Sequence, residues 1–165
     1  MMDVFHPDLL LPELQQQIFS ALQEALVRDL ARVAFGKTLE VSCRNLYVSR
    51  GVHHTRFFHC HGPGVKVKTF VYLTPVHSLD DGPYCYIPGS HRNLMLRWRN
   101  QMFNSRYGLH RHEYRQVGRQ VGLPILGEPG DMVISAQHGA HRGHPQVPSA
   151  HRAVLVNVFK PRPAR

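Results

Sequence analysis

Histidines in two separate segments of the chain are the residues best suited to chemistry. His59 and His61 are separated by one residue, and on an extended strand their imidazoles would converge while Cys60 points away. A second cluster, residues 137–145, follows a Pro-Gly-Asp turn and a short predicted strand, and it contains His138, His141 and His144. Because imidazole is a common ligand of transition metals, the two clusters predict a metal site built from distant parts of the sequence.

Arg152 is the third candidate for chemistry. It opens a predicted strand, residues 152–159, and shares a face with Val154, Val156 and Val158. If that face lines a barrel, an unpaired guanidinium there costs on the order of several kcal/mol. Beyond residue 61 the carboxylates fall in predicted turns or in a basic segment: Asp80, Asp81, Glu113, Glu128 and Asp131. A small dicarboxylate bound bidentately would satisfy Arg152; the alternative is a side chain that snorkels to solvent at the end of the strand.

One helix and many short strands must position these residues. Apolar residues at spacings of three and four predict a helix over residues 12–34 with one buried face, ended by Gly36: Leu14, Ile18, Phe19, Leu22, Ala25, Leu26, Leu30 and Val33. From Leu39 the period changes to two, which predicts strands at 39–43, 46–48, 55–61, 65–73, 84–87, 132–135 and 152–159. In the strand 65–73, Val65, Val67, Val71 and Leu73 share one face. Turns are expected at 80–83 and 129–131, and a frayed tail after Lys160.

This pattern is mainly β and lacks βαβ alternation, so it predicts a β-sandwich or jelly roll formed by residues 39–160. The length of 165 residues fits a single domain, residues 1–165. No apolar run reaches about 18 residues, which excludes a membrane span. Three cysteines without a C-x-x-C pair argue against a disulfide framework or a zinc ribbon. With no signal-peptide pattern at the start, we expect a cytoplasmic protein.

Residues 91–119 form a basic excursion between the predicted strands. They hold one acid, Glu113, and seven arginines: Arg92, Arg97, Arg99, Arg106, Arg111, Arg115 and Arg119. Trp98, Phe103, Tyr107 and Tyr114 are interleaved with them. The favoured interpretation is a solvated, partly helical segment pinned to the barrel by its aromatics. The alternatives are binding of single-stranded nucleic acid by charge and stacking, which is the less favoured, and a lid over an anionic substrate. The net charge of +9 and the 13 histidines are compatible with either an anionic or a metal ligand.

Several motifs occur in a fixed order over residues 40–160: His59-x-His61, Val65-Lys-Val-Lys-Thr-Phe-Val-Tyr-Leu73, Asp81-Gly-Pro83, Tyr86-Ile-Pro-Gly-Ser-His-Arg92, Pro129-Gly-Asp131, His141-Arg-Gly143 and Arg152-Ala-Val-Leu-Val-Asn157. In this order they resemble the phytanoyl-CoA dioxygenase-like family of Fe(II)/2-oxoglutarate-dependent oxygenases. The most specific parts of the resemblance are the Gly-Pro…Pro-Gly-Ser-His block and the eleven-residue step from His141 to Arg152.

The resemblance implies a double-stranded β-helix, the cupin-like jelly roll, with Fe(II), 2-oxoglutarate and O2. It makes His59 the first iron ligand and His141 the distal ligand, because the family's distal histidine precedes a basic-Gly-x-Pro step like residues 142–145. It makes Arg152 the partner of the distal carboxylate of 2-oxoglutarate. The implied activity is that of a dioxygenase hydroxylating a small-molecule substrate, with an anionic substrate as one option.

The chain departs from the family at His61, where the family has an acidic iron ligand. Three interpretations follow: a working centre of His59, His61 and His141, a two-histidine site with an open position as in relatives that halogenate, or a lapsed enzyme. The chain is shorter than is usual in the family, which favours the last. Two further alternatives stay open: a cupin-type metalloenzyme that does not use 2-oxoglutarate, and a lapsed barrel acting as a basic binding module. Cupins usually place a glutamate soon after H-x-H, and none occurs between His61 and Glu113.

Overall fold

The computed structural model describes residues 1–61, 64–108 and 122–162, and over these ranges the chain is mainly β. The strands are β1 (Met2–Phe5), β2 (Leu39–Arg50), β3 (Val67–Tyr72), β4 (Tyr84–Tyr86), β5 (Leu123–Ile125), β6 (Met132–Ala136), β7 (His141–Gly143) and β8 (His151–Pro161). The helices are α1 (Pro7–Leu10), α2 (Gln15–Leu22), α3 (Glu24–Phe35) and α4 (Leu94–Arg106), with 3₁₀ turns at Pro12–Leu14 and Leu79–Asp81. Across the described residues, no helix combines the length and the apolarity needed to cross a membrane.

The strands form two antiparallel sheets. The larger sheet has the order β1-β2-β8-β3-β6 and the smaller sheet has the order β5-β4-β7. An isolated bridge between His59 and His141 adds the segment around His59 to the smaller sheet, beside β7. Residues from both sheets share one apolar core, for example Phe70 and Val156 from the larger sheet and Tyr84 from the smaller. The predicted mainly β, jelly-roll-like fold is confirmed.

Strand β8 is buried on both faces, as its sequence predicts. Val154, Val156 and Val158 face the core between the sheets, whereas Leu155 and Phe159 pack against the N-terminal helices. The side-chain period of two therefore places Arg152, two residues before Val154, on the interior face. Both faces of β8 are apolar because helices cover the outside of the larger sheet.

The predicted single helix over residues 12–34 is wrong in its continuity. Gln23 adopts a left-handed backbone conformation, with φ of 43°, and separates α2 from α3. The break rotates α3, so that Val27 and Ala31 face the sheet. Leu26, Leu30 and Val33, which periodicity places on the buried face, are instead exposed. Ile18 and Leu22 of α2 are buried against Val71 and Leu155, as predicted.

A polar cluster attaches α3 to the larger sheet. Glu24 Oε1 accepts hydrogen bonds from Arg44 Nε at 2.7 Å and from Asn157 Nδ2 at 2.9 Å. Arg44 also forms an ion pair of 3.2 Å with the buried Asp8. The bond to Glu24 satisfies the amide nitrogen of Asn157, the buried polar residue of the apolar strand β8, which offsets part of the cost of its desolvation.

The predicted strand boundaries hold approximately, with two corrections. Residues 39–43 and 46–48 belong to the single strand β2, which has a bulge between Val41 and Cys43. Residues 55–61 do not form a strand; the segment is held by an isolated bridge at His59 and by a backbone hydrogen bond from His61 to Gln137. In the stretch 65–73 the strand is β3, where Val67 and Val71 are buried beneath the helices and Leu73 is exposed.

The basic excursion, residues 91–119, is described only as far as residue 108. Its described part is mostly α4, which Asn93 caps by accepting a hydrogen bond from the Leu96 amide at 2.8 Å. Leu96 packs against a buried cluster that includes Phe58 and Cys85. Trp98 and Tyr107 are each 58% exposed, so these two predicted anchors do not attach the segment to the barrel. Tyr114 and four of the predicted basic or acidic residues lie outside the described residues: Arg111, Glu113, Arg115 and Arg119.

Candidate metal centre

Three histidines from the two predicted clusters converge in the structure. One potential ligand atom each of His59, His61 and His141 lies within 4.8 Å of the others. The ring centroids of His59 and His141 are 4.6 Å apart, and those of His61 and His141 are 5.1 Å apart. The group contains no carboxylate. Sequence reasoning therefore brought together residues that the fold also brings together.

Backbone hydrogen bonds hold the two histidine segments side by side. The His59 amide donates to the His141 carbonyl at 2.9 Å, and the His141 amide donates to the His59 carbonyl at 3.0 Å. The His61 amide donates to the Gln137 carbonyl at 2.8 Å. This pairing directs His59 and His61 to the cavity while Cys60 joins the buried cluster behind them, although the segment is not a regular strand.

Two of the rings have a defined tautomer. His141 Nδ1 lies 2.9 Å from the Gly139 carbonyl oxygen, and His59 Nδ1 lies 2.9 Å from the Phe57 carbonyl oxygen. A carbonyl only accepts, so each Nδ1 carries the proton and donates. Each Nε2 then keeps its lone pair for a ligand, which is the arrangement that supports metal-binding histidines in proteins.

Burial keeps two of the imidazoles neutral. Desolvation, with a contribution from His59, lowers the pKa of His141 to about 2. Desolvation, with contributions from Lys68 and Lys66, lowers the pKa of His61 to about 3. At neutral pH both rings are therefore uncharged and retain a lone pair, as metal coordination requires.

A buried polar network supports the ring of His141. The Tyr84 ring lies 5.6 Å from it, and the Tyr84 hydroxyl is 2.7 Å from Ser135 Oγ. Gln137 Nε2 donates to the Tyr84 hydroxyl at 3.2 Å and to Ser135 Oγ at 3.0 Å. Burial raises the pKa of Tyr84, so its phenol stays protonated. Sequence reasoning missed this network because isolated polar residues inside short strands carry no distinctive spacing.

The three histidines line a cavity of about 520 Å³ that also contains Arg152. Arg152 Nη1 donates to the Gly82 carbonyl, while its Nε is buried without a hydrogen-bond partner. Arg152 forms no ion pair with a carboxylate of the described residues, and burial lowers its pKa. The cavity thus holds an arginine with unused hydrogen-bonding capacity, suited to an anionic ligand.

Two further histidines of the second cluster and one lysine differ in whether they line the cavity. His144 lines the cavity, whereas His138 contacts Phe35 and His91 outside it. Lys68 lines the cavity and was missed. The sequence predicts only that Val65 and Val67 share a face of the strand. In the structure helices cover that face, and Lys68 lies on the opposite face, which is the interior one.

Gly82, whose carbonyl accepts from Arg152, provides a stability prediction. Its φ is 70°, and an added Cβ would meet Gln146 Cγ and lie 2.9 Å from the His144 carbonyl oxygen. Gly82→Ala is expected to lower the free energy of unfolding by roughly 1–2 kcal/mol for the backbone conformation and a further ~1–3 kcal/mol for crowding. Gly89 is a matched control, since it has a φ of 76° with nothing within 4 Å of an added Cβ. Urea unfolding of both variants measures the difference, and equal losses would contradict crowding at Gly82.

Comparison with known proteins identifies the fold. No protein-family model matches the sequence, and no curated protein matches it. HygX from Streptomyces hygroscopicus, solved with nickel and 2-oxoglutarate bound, aligns with 16% identity and a TM-score of 0.69, covering 97% of this chain and 69% of that one. EvdO2 from Micromonospora carbonacea var. aurantiaca aligns with 18% identity and a TM-score of 0.72, covering 100% and 69%.

SnoN, a non-heme α-ketoglutarate-dependent epimerase from nogalamycin biosynthesis, aligns with 13% identity and a TM-score of 0.66, covering 96% of this chain and 60% of that one. At these identities the likeness establishes the fold. The chain therefore has the fold of HygX, EvdO2 and SnoN, and its resemblance to the phytanoyl-CoA dioxygenase-like family is confirmed at the level of the fold.

Proposed function

We propose that this protein is an Fe(II)- and 2-oxoglutarate-dependent oxygenase that hydroxylates a small molecule. The observation that carries the proposal is the shared cavity, in which His59, His61 and His141 converge and Arg152 lacks an anionic partner. The comparisons support it, because HygX has been solved with iron and with nickel and 2-oxoglutarate.

The side chains fit the proposed metal. Imidazole nitrogen is an established ligand of Fe(II), and two of the rings are neutral while two have an oriented Nε2. His59, His61 and His141 would hold the iron, and Arg152 would bind the distal carboxylate of 2-oxoglutarate. When bound, iron and 2-oxoglutarate supply oxidation by O2, with conversion of the cosubstrate to succinate and CO2.

The protein would contribute orientation and exclusion of water. The Gly82 carbonyl accepts from the Arg152 guanidinium and so fixes its direction in the cavity. Phe70, Tyr72 and Val154 form an apolar wall of the same cavity. The Tyr72 hydroxyl donates to the Ile125 carbonyl at 2.7 Å, which joins this wall to the smaller sheet. A charged carboxylate bound there would interact with Arg152 more strongly than in water.

A small-molecule substrate is in keeping with the neighbours. HygX has also been solved with nickel, 2-oxoglutarate and hygromycin B bound, and that structure aligns with a TM-score of 0.55. The cavity of about 520 Å³ is of the size that proteins use for small ligands.

The test is an anaerobic Fe(II) titration of the purified protein with and without 2-oxoglutarate, monitored by visible metal-to-ligand charge-transfer absorption. The proposal expects a band that requires both components, and slow formation of succinate once O2 is admitted. Tight metal binding with no response to 2-oxoglutarate would favour a cupin-type enzyme instead. Failure to bind iron would favour a lapsed barrel.

His61→Asp tests the departure from the family's acidic ligand. An anionic carboxylate is expected to tighten Fe(II) binding by about tenfold, or about 1.4 kcal/mol, because it adds an attraction to the divalent cation that the neutral imidazole lacks. The measurement is the midpoint of the anaerobic iron titration. His61→Asn has the same shape without the charge, and equal weakening by both substitutions would show that the imidazole itself is required.

A further inference from the structure

Lys68 is a second cation inside the cavity, far along the sheet from Arg152. Lys68, Phe70 and Tyr72 of β3 line the cavity together. In the sheet Lys68 pairs with Val158, and Arg152 is six residues before Val158 on β8. At 3.3 Å per residue their backbones are separated by about 20 Å along the strand direction. The two cations therefore do not serve the same short ligand.

The metal candidates lie near the Lys68 end. The His61 amide donates to the Gln137 carbonyl, and the Gln137 amide donates at 2.8 Å to the carbonyl of Lys66, two residues before Lys68. The Arg152 guanidinium instead contacts Gly82. If 2-oxoglutarate extends from the histidines toward Arg152, then Lys68 lies on the side of the centre that remains for the primary substrate.

In the part of the chain that the structure describes, the ammonium group of Lys68 has no partner of opposite charge within bonding distance. Among the described residues, its Nζ forms no hydrogen bond and no ion pair, and its one specific contact is with the Tyr47 ring, 5.8 Å from the centroid. Asp3 is the nearby acid, but its carboxylate accepts a hydrogen bond from Asn45 at 3.1 Å. Burial and Lys66 lower the pKa of Lys68 to about 8, so the side chain still carries its proton at pH 7.

The charges along the cavity wall also do not balance. Its two partly buried cations are Lys68 and Arg152, and Asp3 is the single acid among the lining residues that the structure describes. One molecule of 2-oxoglutarate would bring an anionic partner to Arg152 alone. A partly buried cation without a counter-charge is costly, which indicates that a ligand provides the missing anion.

We propose that Lys68 binds an anionic oxyacid group, a carboxylate or a phosphate, of the primary substrate, with the Tyr47 ring against the adjoining part of that molecule. This inference rests on the proposed function, because the bound molecule is a substrate only if the protein is an oxygenase. It places the anion site in the cavity rather than in the basic excursion. It narrows the substrate class to acidic small molecules.

The experiment uses phenyl phosphate and benzoate as anionic probes and phenol as the neutral probe. Each is titrated calorimetrically into protein loaded anaerobically with Fe(II) and 2-oxoglutarate. We expect at least one anion to bind more tightly than phenol, and Lys68→Met to weaken that anion at least tenfold. Lys68→Arg should retain binding. The tighter of the two anions identifies the group as phosphate or carboxylate.

The matched control is Lys160→Met, which removes the same charge from an exposed position at the end of β8. It should bind the anions as the wild type does. Unchanged anion binding in Lys68→Met, or no preference of the wild type for an anion over phenol, would overturn the inference. So would competition by excess 2-oxoglutarate together with loss of binding in Arg152→Gln, because the anion would then occupy the Arg152 end.

The charge-transfer band separates the two proposals. An unaltered band in Lys68→Met shows that the centre and the 2-oxoglutarate site are intact, so the loss of anion binding is local. Absence of the band in the wild type would overturn the proposed function alone. Titration of the metal-free protein with the same probes would then decide the role of Lys68 by itself.

Discussion

Replacing Arg152 with glutamine is expected to weaken 2-oxoglutarate binding by about a hundredfold, which corresponds to about 3 kcal/mol. Arg152 is the candidate partner of the distal carboxylate, and its guanidinium offers two parallel donors in a partly desolvated cavity. Glutamine keeps a donor but removes the charge. The concentration of 2-oxoglutarate at half-maximal charge-transfer absorption, measured anaerobically with saturating Fe(II), gives the change directly.

The same substitution should make the ligand-free protein more stable. Without a ligand, Arg152 has a buried Nε that lacks a partner and no ion pair with a carboxylate of the described residues, so its charge opposes folding. Arg152→Gln is therefore expected to raise the unfolding free energy of the ligand-free protein by roughly 1–2 kcal/mol, which a higher urea midpoint would show. Arg50→Gln, at an exposed position outside the cavity, is the control and should alter neither quantity. An unchanged requirement for 2-oxoglutarate would remove Arg152 from the proposed role.

Replacing His141 with alanine is expected to abolish the charge-transfer band at any practical iron concentration. His141 is the most buried of the three histidines, with 4% exposure, and its Nδ1 bond to Gly139 orients the ligand nitrogen. Loss of a supporting hydrogen bond alone typically costs 10–100-fold in metal affinity. Loss of the ligand should cost more, and equilibrium dialysis against Fe(II) measures it.

His138→Ala is the matched control for this experiment. His138 lies in the same sequence cluster, but it does not line the cavity and its ring contacts Phe35 and His91. Its removal should leave the band in place. A band that survives in His141→Ala and disappears in His138→Ala would exchange the assignments of the two residues. Circular dichroism of both variants guards against loss of the fold as the cause.

The parts of the structure that sequence predicts well are those in which local pattern and tertiary environment agree. β8 is apolar on both faces because both faces are buried, so its role in the core and the interior position of Arg152 follow from the sequence. The convergence of His59 and His61 was also predicted, although its stated reason, a regular strand over 55–61, was wrong. Backbone pairing of alternate residues with His141 and Gln137 achieves the same orientation.

The parts that sequence predicts poorly depend on tertiary context. A single left-handed residue, Gln23, changes the phase of α3, and helical periodicity carries no signal for it. Lys68 was missed for a related reason. Alternation distinguishes the two faces of a strand but does not say which face is covered, and the helices cover the valine face here. The amphipathic N-terminal segment was the feature of the sequence that bears on which face of β3 is covered, because its apolar side had to pack against one face of a sheet.

The bridge between His59 and His141 has a consequence for local unfolding. Two of the three candidate ligands are joined through their own amides and carbonyls at the edge of the smaller sheet. His141 also pairs with β4, whereas no further strand of the described chain pairs with the outer side of the His59 segment. Edge pairings of this kind are among the first to open in native proteins. Opening of this edge would move His59 away from His141 and so dismantle the centre. A cation bound by the two histidines would favour the closed form by mass action. Occupancy of the centre and hydrogen-exchange protection of this edge are therefore two measures of one equilibrium.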